Sequence, residues 1–121
     1  DESVRAQVRA AALEALLDPE GGVVRRSASL CVARIGAVDI PSGAWPEVVP
    51  TLTSACQRTE ECFRCLGFLA EEWTAHLVRD CDVQVAAGQI LLATVAGMQS
   101  GDLGTRIAAT TALNSVMPFT S

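Results

Sequence analysis

DIPSGAWPEVVP, residues Asp39 to Pro50, sets two prolines four apart and a tryptophan at the opening of an apolar pattern that otherwise has helical spacing. Proline lacks the N–H that a helix interior needs, so Pro46 is expected in a first turn and Pro50 is expected to kink the helix beyond it. The stretch predicts a bent helix, with Ile40-Pro41-Ser42-Gly43 as the break before it.

On either side of this stretch, hydrophobic periodicity extends the pattern to six helices, at about 3–17, 24–38, 43–57, 60–73, 83–98 and 104–117. The breaks are chemically marked. Asp18-Pro19-Glu20-Gly21-Gly22 ends the first helix. Gln57-Arg58-Thr59 precedes Glu60-Glu61, where Thr59 can cap and the acids suit the helix dipole. Thr74 to Asp82 is the longest polar break, and Gln99-Ser100-Gly101-Asp102 is another short turn.

Composition agrees with helices and removes several functions. Half the residues are hydrophobic, only 4% are aromatic, and Ala and Leu recur without Val/Ile/Thr runs, which favours helix packing over sheet. No apolar run approaches the ~20 residues that cross a bilayer, and no signal-like segment opens the chain. Membrane insertion is not expected. Fourteen acids against nine arginines give a net charge of −5. Only Arg25-Arg26 form a basic pair, too little to track a phosphate backbone, so nucleic acid is not an expected partner. Mild acidity suits basic protein partners, or simply a solvated surface.

Five cysteines, Cys31, Cys56, Cys62, Cys65 and Cys81, fit reduced thiols packed among helices better than a disulfide framework. Cys62 and Cys65, with Cys56 and the single His76, could be drawn as four zinc ligands. A structural zinc site normally takes two close pairs from turns, and here one pair lies at helical i,i+3 spacing, so no metal is expected. His76 is expected in an exposed loop. No paired carboxylates, phosphate-cradling Gly-rich loop or Ser-His-Asp set is present, so neither catalysis nor a cofactor is expected.

The second helix of each pair carries a related pattern. Arg26-Ser-Ala-Ser-Leu-Cys-Val-Ala and Arg106-Ile-Ala-Ala-Thr-Thr-Ala-Leu place Arg ahead of small residues, and Thr59-Glu-Glu-Cys-Phe-Arg-Cys-Leu is a weaker copy. A helix pair recurring at about 40 residues is the spacing of HEAT repeats, in which small residues let helices approach closely. The expected fold is all-α, an α-solenoid of about three such repeats (1–40, 41–78, 79–121) in a right-handed superhelix. Arg25, Arg26 and Arg106, at helix N-termini that repel cations, are expected to find carboxylate partners. A start at Asp1 and an end just past a helical pattern suggest an excerpt of a longer array.

The ordered elements resemble the importin-β family. Ser27-Ala-Ser-Leu-Cys-Val-Ala-Arg-Ile, Asp39-Ile-Pro with Trp45-Pro-Glu-Val-Val-Pro-Thr-Leu, Cys65-Leu-Gly-Phe-Leu-Ala-Glu-Glu, Ile90-Leu through Gly97-Met98, and Ile107-Ala-Ala-Thr-Thr-Ala-Leu-Asn-Ser look like its third to fifth HEAT repeats, in order. The fourth repeat of that family opens with an IPxxxWPELIP-like sequence. The loops at Gln57 to Glu60 and Arg79 to Asp82 depart from the family pattern, and lysine, common in the family, is missing.

The resemblance implies a nuclear transport receptor, found in cytoplasm, nucleus and nuclear pore. In that family the inner helices of early repeats bind the GTPase Ran in its GTP form, and Glu72 falls at an acidic position that contacts it. Outer helices of the fifth and sixth repeats bind nucleoporin Phe-Gly repeats. Leu91, Leu92 and Val95 fall at that contact, with Leu92 in place of a threonine. Importin-α and its cargo bind through repeats beyond this chain.

The residues themselves put Val83, Ala87, Ile90, Thr94 and Met98 on a core-facing stripe, with Leu91, Leu92 and Val95 on the stripe beside it. Spacing alone also allows that second stripe to pack against neighbouring outer helices. Beside a transport receptor stand two other classes: a HEAT scaffold of some other assembly, and, more distantly, a thiol or metal enzyme.

Overall fold

Asp1 begins the first helix by accepting the Ser3 N–H at 2.9 Å, filling one of the donors that a helix N-terminus leaves open. In the computed structural model, which describes residues 1–56, 58–76, 78 and 80–119, six α-helices occur in order. They are α1 (Glu2–Leu17), α2 (Val23–Asp39), α3 (Val48–Ala55), α4 (Glu61–Ala75), α5 (Cys81–Gly97) and α6 (Leu103–Val116), with a closing 3-10 turn at Met117–Phe119. No strand occurs among the described residues. The expected all-α solenoid is the observed fold. Gln57, Arg79, Thr120 and Ser121 lie outside the described residues, so the expected end of the third helix at Gln57 and the two altered loops are described only in part.

Asp80 and Asp102 repeat the opening device at α5 and α6, accepting Val83 N–H at 3.0 Å and Thr105 N–H at 2.9 Å. The two bonds from Thr105 to Asp102 hold its carboxyl below the usual aspartate range. Before α2 the chain must reverse within Asp18 to Gly22. Gly22 supplies the required left-handed backbone, at φ 54°.

The third helix differs from expectation. It begins at Val48, five residues later than the periodicity indicates, because Ile40 to Ala44 close on themselves through Gly43 N–H to Ile40 C=O (3.0 Å) and Ala44 N–H to Asp39 C=O (2.8 Å). That turn swings Trp45 into the core, where it is buried. Pro50 is the third residue of the helix. Its missing N–H is one that no helix could satisfy, so Pro46 and Pro50 set the start and the expected kink within a longer helix does not arise.

Helices α2, α4 and α6 pack side by side as one layer, and α1, α3 and α5 lie over it as partners of the pairs. Small residues allow the close approach. Gly67 sits so near α6 that a Cβ there would stand 3.4 Å from the Ala112 Cα, and one on Gly36 would stand 3.4 Å from the Leu69 Cδ1. Between the layers lie Leu16, Val32, Leu52, Phe63, Leu66, Leu69, Trp73, Ile90 and Val116, all buried. Burial of such apolar surface at ~25 cal/mol per Å² is the principal force holding one pair on the next.

Buried charge ties α1 to α2. Asp39, at the end of α2, accepts Arg9 Nε at 2.8 Å and Arg5 Nη2 at 2.5 Å. Arg9 also reaches Glu2 at 3.3 Å. The α2–α4 joint uses Glu61, likewise buried, which accepts the Ser29 hydroxyl at 2.8 Å and Arg26 Nε at 3.2 Å.

Of the three helix-start arginines, Arg26 forms an ion pair of the expected kind, with Glu61. Arg25 donates to the Leu16 carbonyl at 2.9 Å and to the Thr59 hydroxyl, and Arg106 donates to the Ser100 carbonyl at 2.9 Å. The Leu16 carbonyl, open at the end of α1, carries partial negative charge and so serves Arg25 as a carboxylate would, while Arg106 bonds a carbonyl of the turn after α5. Thr59 also accepts the Glu61 N–H at 3.3 Å, close to its expected capping role, although Glu60 is the residue at the cap position.

Candidate functional site

Helix α5 offers two flanks besides its buried stripe. Val83, Ala86, Ala87, Ile90, Thr94 and Gly97 face inward, and the buried Thr94 hydroxyl is satisfied by the Leu91 carbonyl at 2.8 Å. Met98, expected on this stripe, is exposed instead. Gly97 takes the inward position one residue earlier, and Met98 caps the helix by donating its N–H to the Thr94 carbonyl at 3.0 Å.

One flank, Asp82, Val85, Ala86 and Gln89, turns to α3, where with Trp45, Pro46, Val49 and Pro50 it lines a cavity of about 160 Å³. At ~100° per residue, Leu91 and Val95 lie on the opposite flank and Leu92 points outward between them and the first. Leu91 is half-buried against the core, whereas Leu92 is 74% exposed and Val95 45%. The three expected contact residues therefore lie near one another on α5, Leu91 packed against the core and Leu92 and Val95 open.

Glu72 lies on α4, half-buried and without an ion pair among the described residues. Its spacing from Glu61 and Cys65 puts it on the stripe of α4 that meets α2. Glu71 diverges by ~100° and lies on the α6 side. There Arg64, Gly67, Phe68 and Glu71 of α4 face Ile107, Thr111 and Ser115 of α6 across a groove of about 190 Å³. Glu71 is not among the residues that sequence reading singles out. The signal that marks it is the helical spacing of those α4 residues, matched by Ala108, Thr111, Ala112 and Ser115 on α6.

The thiols divide by burial. Cys56, Cys62 and Cys65 are buried, while Cys31 and Cys81 are exposed, fewer buried thiols than their apolar settings suggest. Burial pushes the Cys62 thiol up to about 11 and raises Cys56 and Cys65 as well, with neighbouring thiols adding to the latter two. Cys65 Sγ lies 3.5 Å from the Ser29 carbonyl. Among the described residues no three His, Cys, Asp or Glu side chains converge as metal ligands, and His76 is exposed at the end of α4.

Reactivity should follow this division. A thiol reagent at neutral pH is expected to titrate Cys31 and Cys81 in the native chain and all five cysteines after unfolding. Rapid native labelling of Cys62 or Cys65 would contradict the packing. Because the folded state holds the Cys62 proton to about 11 and the unfolded chain releases it near 9, folded chains bind more protons in that window. Stability is then full below pH 9 and falls as pH rises toward 11, which denaturant midpoints measure.

No helix among the described residues is long and apolar enough to cross a membrane. Compared with known proteins, the chain is 32% identical to importin subunit beta-1 of Arabidopsis thaliana over 126 residues, which takes in 98% of this chain. The chain spans 14% of the length of that relative. No family model matches it, and no solved structure matches it. The likeness extends over nearly the whole chain and relates it to a segment of importin-β.

Proposed function

We propose that this chain is a HEAT-repeat segment of a nuclear import receptor and that it has no catalytic role. The observation that carries the reading is the 32% identity to importin subunit beta-1 across 98% of the chain. The exposed Leu92 and Val95, beside the half-buried Leu91, support it. The repeats are taken as 1–40, 41–78 and 79–121, corresponding to the third to fifth of such a receptor and wound right-handed. On this reading Glu72 on the inner layer meets the basic surface of Ran in its GTP form. Leu91, Leu92 and Val95 form one wall of a seat for a nucleoporin phenylalanine, with a neighbouring repeat as the other wall. The protein would work between cytoplasm and nucleus, at the pore, and would take importin-α or cargo through other repeats.

Two substitutions should separate the two contacts. In a longer segment carrying the adjoining helix pairs, Val95→Asp places an unpaired carboxylate against the aromatic ring and is expected to weaken Phe-Gly peptide binding by roughly tenfold while leaving Ran alone. Glu72→Arg should do the reverse, weakening Ran-GTP by about tenfold through like-charge contact. Calorimetry with each ligand, and a pull-down with Ran loaded with GTP or GDP, read the outcome. Binding of neither ligand by the unaltered segment would favour a HEAT scaffold of another assembly.

A further inference from the structure

Where α1 ends, α2 begins and α3 runs on toward α4, a hollow of about 330 Å³ is lined by Leu17, Pro19, Arg25, Ala55, Arg58 and Thr59. Two arginines meet there in a chain of net charge −5, and no acid lines it. The acids nearest in sequence are engaged or stand outside. Glu60 and Glu61 hold Arg64 at 3.5 and 3.3 Å, and Glu61 also takes Arg26 and the Ser29 hydroxyl. Asp18 folds onto the Glu20 N–H at 2.9 Å, and the Glu20 side chain is exposed outside the lining.

Arg25 is fixed in place. Its stem crosses Gly21, where a Cβ would stand 2.5 Å from the Arg25 Cγ. Its Nε donates to the Leu16 carbonyl at 2.9 Å and its Nη2 to the Thr59 hydroxyl, so of the five N–H donors of a guanidinium these two bonds leave three to give. Thr59 also accepts the Glu61 N–H at 3.3 Å, which fills both of its lone pairs and leaves its own proton to donate. Arg58, exposed, has no side-chain hydrogen bond or ion pair among the described residues. Burial pushes the Cys62 thiol up to about 11, and the charges of Arg25 and Arg58 both pull against that rise, as two cations close to one spot must.

We propose that this hollow binds a phosphomonoester carried by a serine or threonine of a partner protein, with Arg25 and Thr59 donating to its oxygens from the fixed side and Arg58 reaching it from solvent. Charge and extent choose the occupant. A phosphomonoester brings about −1.5 to −2 of charge on three acceptor oxygens, which two guanidiniums and a hydroxyl match, whereas a carboxylate would leave one cation unneutralised. A nucleic acid needs a track of cations, and the free basic surface stops at two residues because Arg26 and Arg64 are held by Glu61 and Glu60. Leu17, Pro19 and Ala55 give the hollow apolar walls for the residues beside the phosphate. The site shares no residue with Glu72 or with the α5 flank, so it stands or falls apart from the receptor reading.

The test uses the full chain and a short end-capped peptide with leucines on either side of a phosphoserine, beside versions carrying serine or glutamate in its place. Amide shift mapping should place the phosphopeptide at Arg25, Arg58 and Thr59, with the serine version silent and the glutamate version at least tenfold weaker. Arg58→Gln, which removes no bond of the fold, should weaken the phosphopeptide by about tenfold, and Arg25→Lys, which keeps the charge and loses the fork, by several-fold. Gly21→Ala should also weaken it, by displacing the Arg25 stem. Arg34→Gln, the same change of net charge farther along α2, should leave affinity within about twofold, because a remote exposed charge is screened. Inorganic phosphate should compete only at concentrations well above those of the peptide. Free phosphate as tight as the phosphopeptide, equal binding of the glutamate version, equal losses from Arg34→Gln and Arg58→Gln, shifts that map elsewhere, or no binding by the unaltered chain at millimolar phosphopeptide would each overturn the proposal.

Discussion

Trp73→Ala is expected to lower the melting temperature of this chain by about 10–25 °C. Trp73 is fully buried near the end of α4 and meets Phe119 edge to face, ring centres 6.1 Å apart at 75°. Truncating a buried tryptophan typically costs ~3–5 kcal/mol, because the lost transfer energy adds to that of the cavity left behind. That is a large share of the ~5–15 kcal/mol that holds a domain folded. The indole N–H has no acceptor among the described residues, so packing and not hydrogen bonding holds the ring. Trp73→Phe should therefore cost far less than Trp73→Ala, since it keeps an aromatic ring and removes an unsatisfied donor. Thermal melts of the two variants decide the matter: equal losses would mean that the indole makes a bond which the packing account lacks.

Trp73 also illustrates what the sequence makes legible. Its place among Cys62, Leu66, Leu69 and Ala70 at helical spacing is enough to put it on a buried face, and the same periodicity recovers six helices and their pairing. Pro, Gly and Asp at the breaks are read directly, since each acts on its own backbone. The start of α3 is not read correctly. Ile40 to Trp45 keeps an apolar rhythm that suits either a helix or a turn throwing Trp45 inward, and only the packed core selects the turn. Partners of Arg25 and Arg106 escape notice because a backbone carbonyl leaves no mark in the side-chain sequence.

The candidate site divides in the same way. That Leu91, Leu92 and Val95 share one side of α5 follows from their spacing, and so does the separation of Glu71 from Glu72. That Leu92 and Val95 stay open while the other flank lines a cavity with α3 is a fact of two helices that periodicity within one cannot supply. The groove between α4 and α6 is hidden for the same reason. Its walls come from segments some forty residues apart.

Gly97→Val is expected to destabilise the chain by about 1–3 kcal/mol or more, against the helix propensity that favours losing a glycine. A Cβ at Gly97, the last residue of α5, would stand 2.7 Å from the Ala109 Cβ and closer still to the Phe63 Cζ. Neither neighbour can yield easily, because Phe63 and Ala109 are fully buried in α4 and α6. Gly97 is thus where three helices meet too closely for any side chain, and filling it would push α5 outward and carry the Leu91–Val95 flank with it. Gly88, on the same helix, has nothing within 4 Å of its Cβ position, so Gly88→Ala should stabilise by ~0.5–1 kcal/mol through propensity alone. Opposite signs at two glycines of one helix, read from urea midpoints, would establish that space and not backbone freedom fixes Gly97. Phe63→Leu combined with Gly97→Val should recover part of the loss if the ring is the obstacle, and strictly additive losses would place the clash elsewhere.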